Sequence, residues 1–386
     1  MKILYVSYSA PGGGKWVHTG QFFSALKKLH QDVAIYPQPS PDNALQGSLN
    51  AATLDKRPFL LELRVVYSFF IRQLPKEYRL LRDAKPDVVV LRAGASAGLV
   101  FLSKLFRIPL LLELNGPVTE TSLRKRSQRL RMKPFWKWLE NRLIKNSAKV
   151  TVVSEQLRSI YLERGHDPQR INTVANGVDV ELFKPSISGE RVRARLGLEG
   201  KIIIGFSGTF APWHGLDFLL EAAKKFLRLR DDLVVLLIGR QGSSYTLPED
   251  LDERVMITGF VAHHQMPEYL AAMDVFVAPY PRIEPFYFSP LKIFEAMAMG
   301  KPVVASAQGQ ITELITHRHN GMLYEPGNQD AFLKCLSELL EDGRLRDRLG
   351  REARQTMQEK YTWTHNAAKV LELCRRLHGD APTRAS

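Results

Sequence analysis

The stretch from Ser289 to Ala305 reads SPLKIFEAMAMGKPVVA and predicts a short helix that runs into a buried strand. Ser289 is a favoured N-cap, and Pro290 suits the first helical position because its missing N–H would be unpaired there anyway. Gly300 can take the left-handed conformation that ends a helix, and the apolar residues 303–305 continue as a strand. A helix followed directly by a buried strand is typical of α/β folds, so this stretch predicts the fold class.

The start of this helix has the chemistry of an anion site. The backbone N–H groups of Leu291 and Lys292 and the positive end of the helix dipole would face an anion, and Lys292 adds a full charge. Glu295 lies one turn further on, where its carboxylate could accept hydrogen bonds from a sugar diol. Together these groups suit a nucleotide diphosphate. The alternative is an ordinary capped helix on which Lys292 and Glu295 form a surface pair worth about 0.2–0.5 kcal/mol.

Hydrophobic runs recur along the chain in the alternation of strands and helices. The first run, residues 2–7, leads into glycines 12–14 and a helical stretch through Leu29, as nucleotide-binding α/β folds begin. These glycines do not match the GxGxxG fingerprint, so a dinucleotide site is not predicted. Two consecutive sets of strands are predicted, at 2–7, 33–36, 88–91, 110–114, 150–154 and 172–174, and at 202–206, 234–239, 255–257, 275–278 and 303–305. We therefore expect two Rossmann-like domains that meet within residues 180–200.

Polar residues come at the carboxyl ends of two strands in the first half. Arg92 ends one strand, and Glu113 and Asn115 lie at the end of the next. Because ligands of open α/β sheets gather beyond the carboxyl ends of strands, these three side chains are candidates for a site. His18, in the first helix, lies near the glycine turn, and either a helix-surface position or a place in the site is consistent with the sequence.

The net charge of +14 lies in the N-terminal half. Residues 1–180 contain 28 Lys and Arg against 14 Asp and Glu, whereas the remaining residues contain 26 of each. Such asymmetry predicts an anionic partner, whether membrane, polyanion or nucleic acid. Residues 124–138 hold seven basic residues, no acid and three aromatic residues, which suits an anionic membrane surface. The alternative is a solvated basic loop that leads into an amphipathic helix.

The composition is that of an ordinary globular chain. Hydrophobic residues make up 45% of the 386 residues, and the two cysteines, Cys335 and Cys374, are too few for a disulfide framework. The apolar run after Met1 is too short for the core of a signal peptide, and no window approaches the roughly 18 apolar residues of a membrane span. A soluble, cytoplasmic protein is expected, with peripheral attachment to the inner face of the plasma membrane as an option.

Four short motifs, in order, resemble those of the retaining glycosyltransferases of family 4. Asn176-Gly177-Val178-Asp179, followed by Phe183 and Pro185, is similar to the family's NGVD…F.P segment. Residues 295–304 are similar to its EAMA.G.PVV signature, Asn320–Leu323 to its NG.L turn, and residues 361–363 to the start of its terminal helix. The resemblance covers nearly the whole chain.

The resemblance implies the GT-B fold, in which two Rossmann-like domains face each other across a cleft. Residues 1–180 would form the N-terminal acceptor domain, and residues 181–360 would form the domain for the nucleotide-sugar donor. Residues 361–378 would form a helix that crosses back to the N-terminal domain, and residues 379–386 a disordered tail.

The resemblance also implies roles for particular residues. Glu295 would hold the ribose hydroxyls, the amides of Leu291 and Lys292 the diphosphate, and glycines 13 and 14 the same phosphates from the opposite domain. The predicted donor-binding residues are Gly13, Gly14, His214, Ser289, Leu291, Lys292 and Glu295. The predicted catalytic residues are Arg92, Glu113, Asn115 and Lys292. No metal site is predicted, because the family works without one and no DxD pair ends a strand. His263 and His264 are expected to be loop or helix-start residues.

The chain departs from the family at three points. The family's first glutamate is replaced by Tyr287, with Glu284 nearby as a substitute only if the loop bulges. The turn that usually carries a phosphate-binding Arg and Lys contains only His214, so Lys292 is the best replacement, with Arg240 and Arg282 behind it. The usual histidine after the strand 110–114 is absent. These departures suggest a subgroup with a Ser-Pro-Leu-Lys…Glu donor motif that acts in polysaccharide assembly.

Several functions are consistent with the sequence. The first is a retaining, metal-independent hexosyltransferase that moves a sugar from a UDP- or GDP-linked donor to a glycan or lipid-linked acceptor, without a further cofactor. A catalytically silent nucleotide-sugar-binding protein is the main alternative. An epimerase or a phosphorylase would share the fold, but nothing marks a pyridoxal phosphate lysine. Nucleic acid is not expected as a partner, because no recognition motif accompanies the charge.

Overall fold

The computed structural model describes residues 1–8, 14–37, 67, 72–93, 96–117, 132–240, 247–248 and 250–380. These residues form two compact units. The first consists of Met1–Asn176 with Trp363–Ser386, and the second of Gly177–Thr362. Gly13 and residues 124–131 of the basic stretch lie outside the described residues.

The first unit is built on one parallel sheet of six strands in the order β2-β1-β3-β4-β5-β6. Its strands are β1 (Ile3–Val6), β2 (Val33–Tyr36), β3 (Val88–Arg92), β4 (Leu110–Leu114), β5 (Lys149–Val152) and β6 (Ile171–Thr173). Its helices are α1 (Gly14–Leu29), α2 (Leu74–Ala84), α3 (Gly98–Leu105), α4 (Lys133–Asn146), α5 (Glu155–Glu163) and, from the end of the chain, α13 (Trp363–Gly379). The central strands are buried along their whole length, as expected for a parallel sheet covered by helices.

The second unit repeats this architecture with the strand order β12-β11-β10-β7-β8-β9, again all parallel. Its strands are β7 (Ile202–Ser207), β8 (Leu233–Ile238), β9 (Val255–Ile257), β10 (Val275–Ala278), β11 (Val303–Ser306) and β12 (Met322–Tyr324). Its helices are α6 (Glu190–Leu196), α7 (Leu216–Leu229), α8 (Met266–Ala272), α9 (Leu291–Ala298), α10 (Ile311–Leu314), α11 (Gln329–Glu341) and α12 (Gly343–Lys360). Strand β12 was predicted only as part of a turn.

The strand order of each sheet reverses at one place. In the second unit the chain proceeds outward from β7 through β8 to β9, and then returns to place β10 on the other side of β7. In the first unit the corresponding reversal lies between β1 and β3. The crevice beyond the carboxyl ends of two such strands is where open α/β sheets bind ligands. The fold therefore marks the ends of β7 and β10 in the second unit, and of β1 and β3 in the first.

The division between the units differs slightly from the predicted domain limits at 180 and 360. Residues 177–180 belong to the second unit, and so do Tyr361 and Thr362. The reason is the guanidinium of Arg354, which donates to the carbonyl oxygens of Val180 (2.8 Å) and Phe183 (2.6 Å). These bonds attach residues 177–185, here called the linker segment, to α12.

The terminal helix α13 packs against α1 in the first unit. Asn366 donates to the carbonyl oxygen of Ala175 at 2.6 Å, which ties this helix to the end of the first chain segment. The prediction of a disordered tail from residue 379 is wrong at its start, because Gly379 belongs to the helix and the Asp380 N–H bonds to the Arg376 carbonyl oxygen; residues 381–386 lie outside the described residues. Within the described residues, no helix is both long enough and apolar enough to cross a membrane.

Candidate functional site

The N-terminus of α9 lies one residue later than the sequence predicted. Pro290 is the N-cap rather than the first helical residue, because its ψ of 94° keeps it extended, and Ser289 is therefore not the cap. The first turn begins with Leu291 and Lys292, so the N–H groups predicted to face an anion are still those at the start of the helix. Gly300 follows the end of this helix with a φ of 68°, which confirms the predicted left-handed cap.

Lys292 extends its amine into a buried position among aromatic rings. Its Nζ lies 4.3 Å from the ring centroid of Phe206 and 5.6 Å from that of Tyr280. Nζ is buried, and among the described residues it has no hydrogen-bond partner. Burial lowers the pKa of Lys292 to about 7, although the Glu295 carboxylate acts in the opposite direction. The alternative of a surface pair between Lys292 and Glu295 is therefore wrong.

The amine reaches the reversal point of the second sheet. Phe206 is in β7, Gly208 follows that strand, and Tyr280 comes directly after β10. Gly208 has a φ of 138°, and a Cβ there would lie 2.5 Å from Lys292 Nζ. Gly239, at the end of β8, approaches so closely that its Cβ would lie 1.8 Å from the Gly208 carbonyl oxygen. Glycine is needed at both positions, because a side chain would displace the amine or the strand end.

His214 lies beside this amine but cannot replace it as a cation. Its ring packs near Phe206 and Tyr280, with centroids 6.0 and 5.7 Å away, and its Nδ1–H donates to the Thr209 carbonyl oxygen. Burial and the charge of Lys292 together lower the pKa of His214 to about 3. The imidazole is therefore neutral at pH 7, whereas Lys292, with a pKa of about 7, is charged in about half of the molecules and can become fully charged beside an anion.

The other two predicted cations have different surroundings. Arg282 forms ion pairs with Glu325 at 2.8 Å and with Glu284 at 3.7 Å, and its side chain is more than half exposed. Arg240 lies over the ring of Phe260 at 6.0 Å. Glu284, considered as a replacement for the glutamate missing at Tyr287, has 80% of its side chain exposed.

Glu295 has a partner that the sequence did not predict. Its Oε1 lies 3.0 Å from Nε2 of His263, and the carboxylate is largely buried, with 14% of the side chain exposed. His263 begins a short 3-10 turn, His263–Gln265, just before α8, and its ring packs edge-on against Phe183 at 5.3 Å. The expectation that His263 lies at a helix start is confirmed, but its contact with Glu295 was missed.

A second polar cluster lies at the reversal point of the first sheet. Arg92, at the end of β3, forms an ion pair with Glu113 of β4, and both side chains are buried. Asn115 donates from Nδ2 to Glu113 Oε1 at 3.1 Å. The structure therefore brings together the three polar residues that the sequence placed at neighbouring strand ends.

His18 completes this cluster, and the helix-surface alternative for it is wrong. Its ring is buried, and Arg92 Nη1 lies 2.6 Å from its Nδ1 and 3.0 Å from its Nε2. Its Nε2 is 3.3 Å from Glu113 Oε1, and Trp363 packs edge-on against it at 4.8 Å. An arginine only donates hydrogen bonds, so the ring must accept at one nitrogen and be neutral.

The charges of this cluster follow from burial and pairing. Burial lowers the pKa of His18 to about 4, against the opposite effect of Glu113. Burial by itself would raise the pKa of Glu113, but the charges of Arg92 and His18 and the hydrogen bonds from Asn115 and Arg92 together outweigh it and hold that pKa below its usual range. Glu113 is therefore an ionised acceptor that fixes Arg92 and Asn115, rather than a free base.

The remaining predicted residues are placed as follows. Gly14 begins α1, whereas Gly13 lies outside the described residues. Ser289 precedes the cap of α9. In the described part of the chain, no group of three or more His, Cys, Asp or Glu side chains is arranged to hold a metal ion.

Solved structures with the same architecture identify the fold. A glycosyltransferase from Rickettsia africae superposes with a TM-score of 0.74 at 19% identity, over 98% of this chain and 99% of that one. HepE from Anabaena, solved in complex with UDP, superposes with a TM-score of 0.71 at 20% identity, over 97% and 100%. The fold is therefore GT-B, as predicted.

Two family models then match most of the chain. Residues 12–182 match Glycosyltransferase Family 4, and residues 201–342 match Glycosyl transferases group 1. These matches place the chain among the group 1 and family 4 glycosyltransferases, which confirms the family seen in the motifs; its retaining chemistry and its subgroup stay predictions.

Proteins related in sequence match the chain at 26–29% identity. A D-inositol 3-phosphate glycosyltransferase from a Nocardioides species is 29% identical over 254 residues, covering 60% of this chain and 54% of that protein. A UDP-Gal:alpha-D-GlcNAc-diphosphoundecaprenol alpha-1,3-galactosyltransferase from Escherichia coli is 26% identical over 286 residues, covering 70% and 71%. The chain spans 54–60% of the length of three of the relatives that it matches.

Proposed function

We propose that this protein is a retaining glycosyltransferase that moves a hexose from a nucleotide-diphosphate sugar, UDP- or GDP-linked, to a glycan or lipid-linked acceptor. The proposal combines the family with the chemistry of the two polar clusters. Each cluster lies where its sheet reverses strand order, which is where this kind of sheet binds ligands.

The observation that carries the proposal is the buried amine of Lys292. An amine that has lost water and has no hydrogen-bond partner among the described residues is unfavourable, unless a ligand supplies the missing partner. The start of α9 offers N–H groups beside it, and Gly208 leaves room for a close approach. A diphosphate would satisfy both, and Lys292 would meet the charge that develops as the glycosyl bond breaks.

Glu295 supplies the second contact of the proposed donor site. Its carboxylate lies one helical turn beyond Lys292, and its Oε1 is already bonded to His263. A carboxylate has two oxygens with about four acceptor positions, so capacity for a ribose diol remains. This spacing of a cation and a diol acceptor suits a nucleoside diphosphate better than inorganic phosphate.

The Arg92–Glu113–Asn115 cluster is proposed to serve the acceptor side. Glu113 fixes the other two groups, and Asn115 is the more exposed partner, so it would be the one to contact an incoming hydroxyl. His18 is proposed to support Arg92 rather than to transfer a proton, because a pKa of about 4 makes it a poor base at neutral pH.

A lipid-linked acceptor at a membrane surface is proposed from the first unit's helices. Trp138 on α4 is 52% exposed, and Arg142 lies over its ring at 5.7 Å. An exposed indole with basic neighbours suits the headgroup region of an anionic membrane. The Escherichia coli relative named above acts, by its name, on a diphosphoundecaprenol-linked sugar. An enzyme with such an acceptor would act in the assembly of cell-surface polysaccharide.

The second candidate is a nucleotide-sugar-binding protein without activity. The observation in its favour is that Tyr287 replaces the family's first glutamate and that no described glutamate takes its place, since Glu284 is exposed and paired with Arg282.

The test is incubation of the whole protein with UDP- and GDP-linked hexoses and candidate acceptors, with release of nucleoside diphosphate as the readout. Glu295→Ala is the control that should abolish release. If the enzyme retains configuration, NMR of the product will show the same anomeric configuration as that of the donor sugar. Tight donor binding without acceptor-dependent release would favour the silent protein, and absence of binding to any donor would refute both candidates.

A further inference from the structure

We propose that His263 is a positioning residue for the nucleotide: it fixes one oxygen of the Glu295 carboxylate so that the other faces the ribose diol. The inference rests on the proposed donor site and adds to it a residue, a direction of hydrogen bonding and a support from residues 180–183 of the second unit.

The direction of the hydrogen bond follows from the chemistry of the two groups. An ionised carboxylate only accepts, so His263 must carry its proton on Nε2 and donate it to Oε1 of Glu295, 3.0 Å away. This bond occupies Oε1 and leaves Oε2 for a ligand. A neutral and a protonated imidazole both donate from Nε2, so the orientation of Glu295 does not depend on the charge of His263.

The ring of His263 is itself held in place. It packs edge-on against Phe183, with centroids 5.3 Å apart and planes at 62°, and Phe183 is fully buried. Phe183 belongs to the linker segment, whose carbonyl oxygens at Val180 and Phe183 accept hydrogen bonds from Arg354. The ring of His263 therefore packs against a segment whose backbone is held by hydrogen bonds from Arg354.

The same guanidinium also fixes the helix that carries Glu295. Arg354 Nη1 donates to the carbonyl oxygen of Ala298, the last residue of α9, at 2.8 Å, and to that of Phe183 at 2.6 Å. The guanidinium of Arg354 thus holds both partners of the hydrogen bond, His263 through Phe183 and Glu295 through α9. A common anchor of this kind limits relative movement of the two side chains and prepares the carboxylate for its ligand.

The neighbouring histidine does not share these contacts. The side chain of His263 is 28% exposed, whereas His264 is an exposed residue of the same turn. No described hydrogen bond or ion pair involves His264. It is therefore a matched control for the loss of one imidazole from this turn.

The test compares binding of two ligands by calorimetry. His263→Phe keeps an aromatic ring against Phe183 but removes the donor, whereas His263→Gln keeps an N–H at about the reach of Nε2. We expect His263→Phe to weaken binding of UDP or GDP about tenfold and His263→Gln to restore most of it, with His264→Phe unchanged. For the 2′,3′-dideoxy nucleotide, which lacks the diol, wild type and His263→Phe should bind equally.

Each outcome decides the inference. Wild-type affinity of His263→Phe for the nucleotide with its diol would overturn it, and so would an equal loss for both ligands, which would indicate a structural role. Unfolding of His263→Phe leaves the decision to His263→Gln, which must retain discrimination between the two ligands. If the wild-type protein binds neither UDP nor GDP, the proposed donor site itself fails, and that result is distinct from the others.

Discussion

Replacement of Lys292 by Met should stabilise the ligand-free protein while it abolishes donor binding. Methionine keeps the long apolar stem against Phe206 and Tyr280 but removes the amine that has no hydrogen-bond partner among the described residues. Most substitutions of buried residues destabilise a protein, so a gain here would be specific to an amine that is kept ready for a ligand.

The size of the effect follows from the pKa of Lys292, which burial lowers from 10.5 to about 7. Between these two values the unfolded chain binds a proton that the folded chain does not, so stability rises with pH across this window. At 1.36 kcal/mol for each unit of pKa, the cost of the amine is about 4 kcal/mol at pH 7 and about 1 kcal/mol at pH 10. These figures are upper limits, because a local opening that hydrates the amine would limit the cost.

The measurement is thermal unfolding at pH 7 and pH 10, with and without UDP or GDP. A gain of 4 kcal/mol corresponds to a rise in Tm on the order of 10 °C for a unit of this size, and the rise should nearly vanish at pH 10. Lys301→Met is the matched control. Burial also lowers the pKa of Lys301, to about 8, but its amine donates to the carbonyl oxygens of Ala271 and Met273 at 2.7 Å, so its replacement loses these bonds and should raise Tm much less than Lys292→Met, or lower it. A lower Tm for Lys292→Met at pH 7, or unchanged nucleotide affinity, would refute the reasoning.

Three further predictions follow from the same site and from the charge of the first unit. Since Lys292 with a pKa of about 7 is neutral in about nine-tenths of molecules at pH 8, donor binding should take up about 0.9 proton at pH 8 and about 0.1 at pH 6. Calorimetry in buffers of different ionisation enthalpy measures this, and a pH-independent uptake would contradict it. Activity should survive exhaustive treatment with EDTA, because amides and a lysine meet the diphosphate charge; loss of turnover that magnesium or manganese restores would show that a metal is needed. The protein should co-sediment with anionic but not neutral liposomes, less so at high salt, and replacement of the five basic residues within 124–131 by Ser should abolish this. Equal pelleting of that variant would exclude this stretch as the docking surface.

Much of the fold could be predicted from local patterns. A strand buried on both faces of a parallel sheet is apolar along its length. Runs such as residues 88–91 and 202–206 can therefore be recognised as strands without knowing which strands they pair with. Glycine at position 300 similarly predicts its own left-handed conformation. The short strand β12 was missed because three residues beside a turn carry too little pattern to be distinguished from that turn.

The candidate site could be predicted only in part. Lys292 and Glu295 lie three positions apart on one helix, so their nearness follows from helical spacing. His263 lies 32 positions from Glu295 and His18 lies 74 positions from Arg92, and nothing local to either histidine indicates its partner. The available signal was topological, since His263 follows β9 and Glu295 lies on α9, which joins two other strands of the same sheet.

The amino-acid sequence by itself thus determined the alternation of strands and helices, the two sheets and the residue types at the strand ends. Only the tertiary structure decided which of these polar groups are buried, which are paired and which are charged. The same lysine could have been an ordinary surface cation, and its place between Phe206 and Tyr280 is what lowers its pKa to about 7. Burial and pairing depend on residues distant in sequence, and they set the free energy of a charge far more strongly than its neighbours along the chain do.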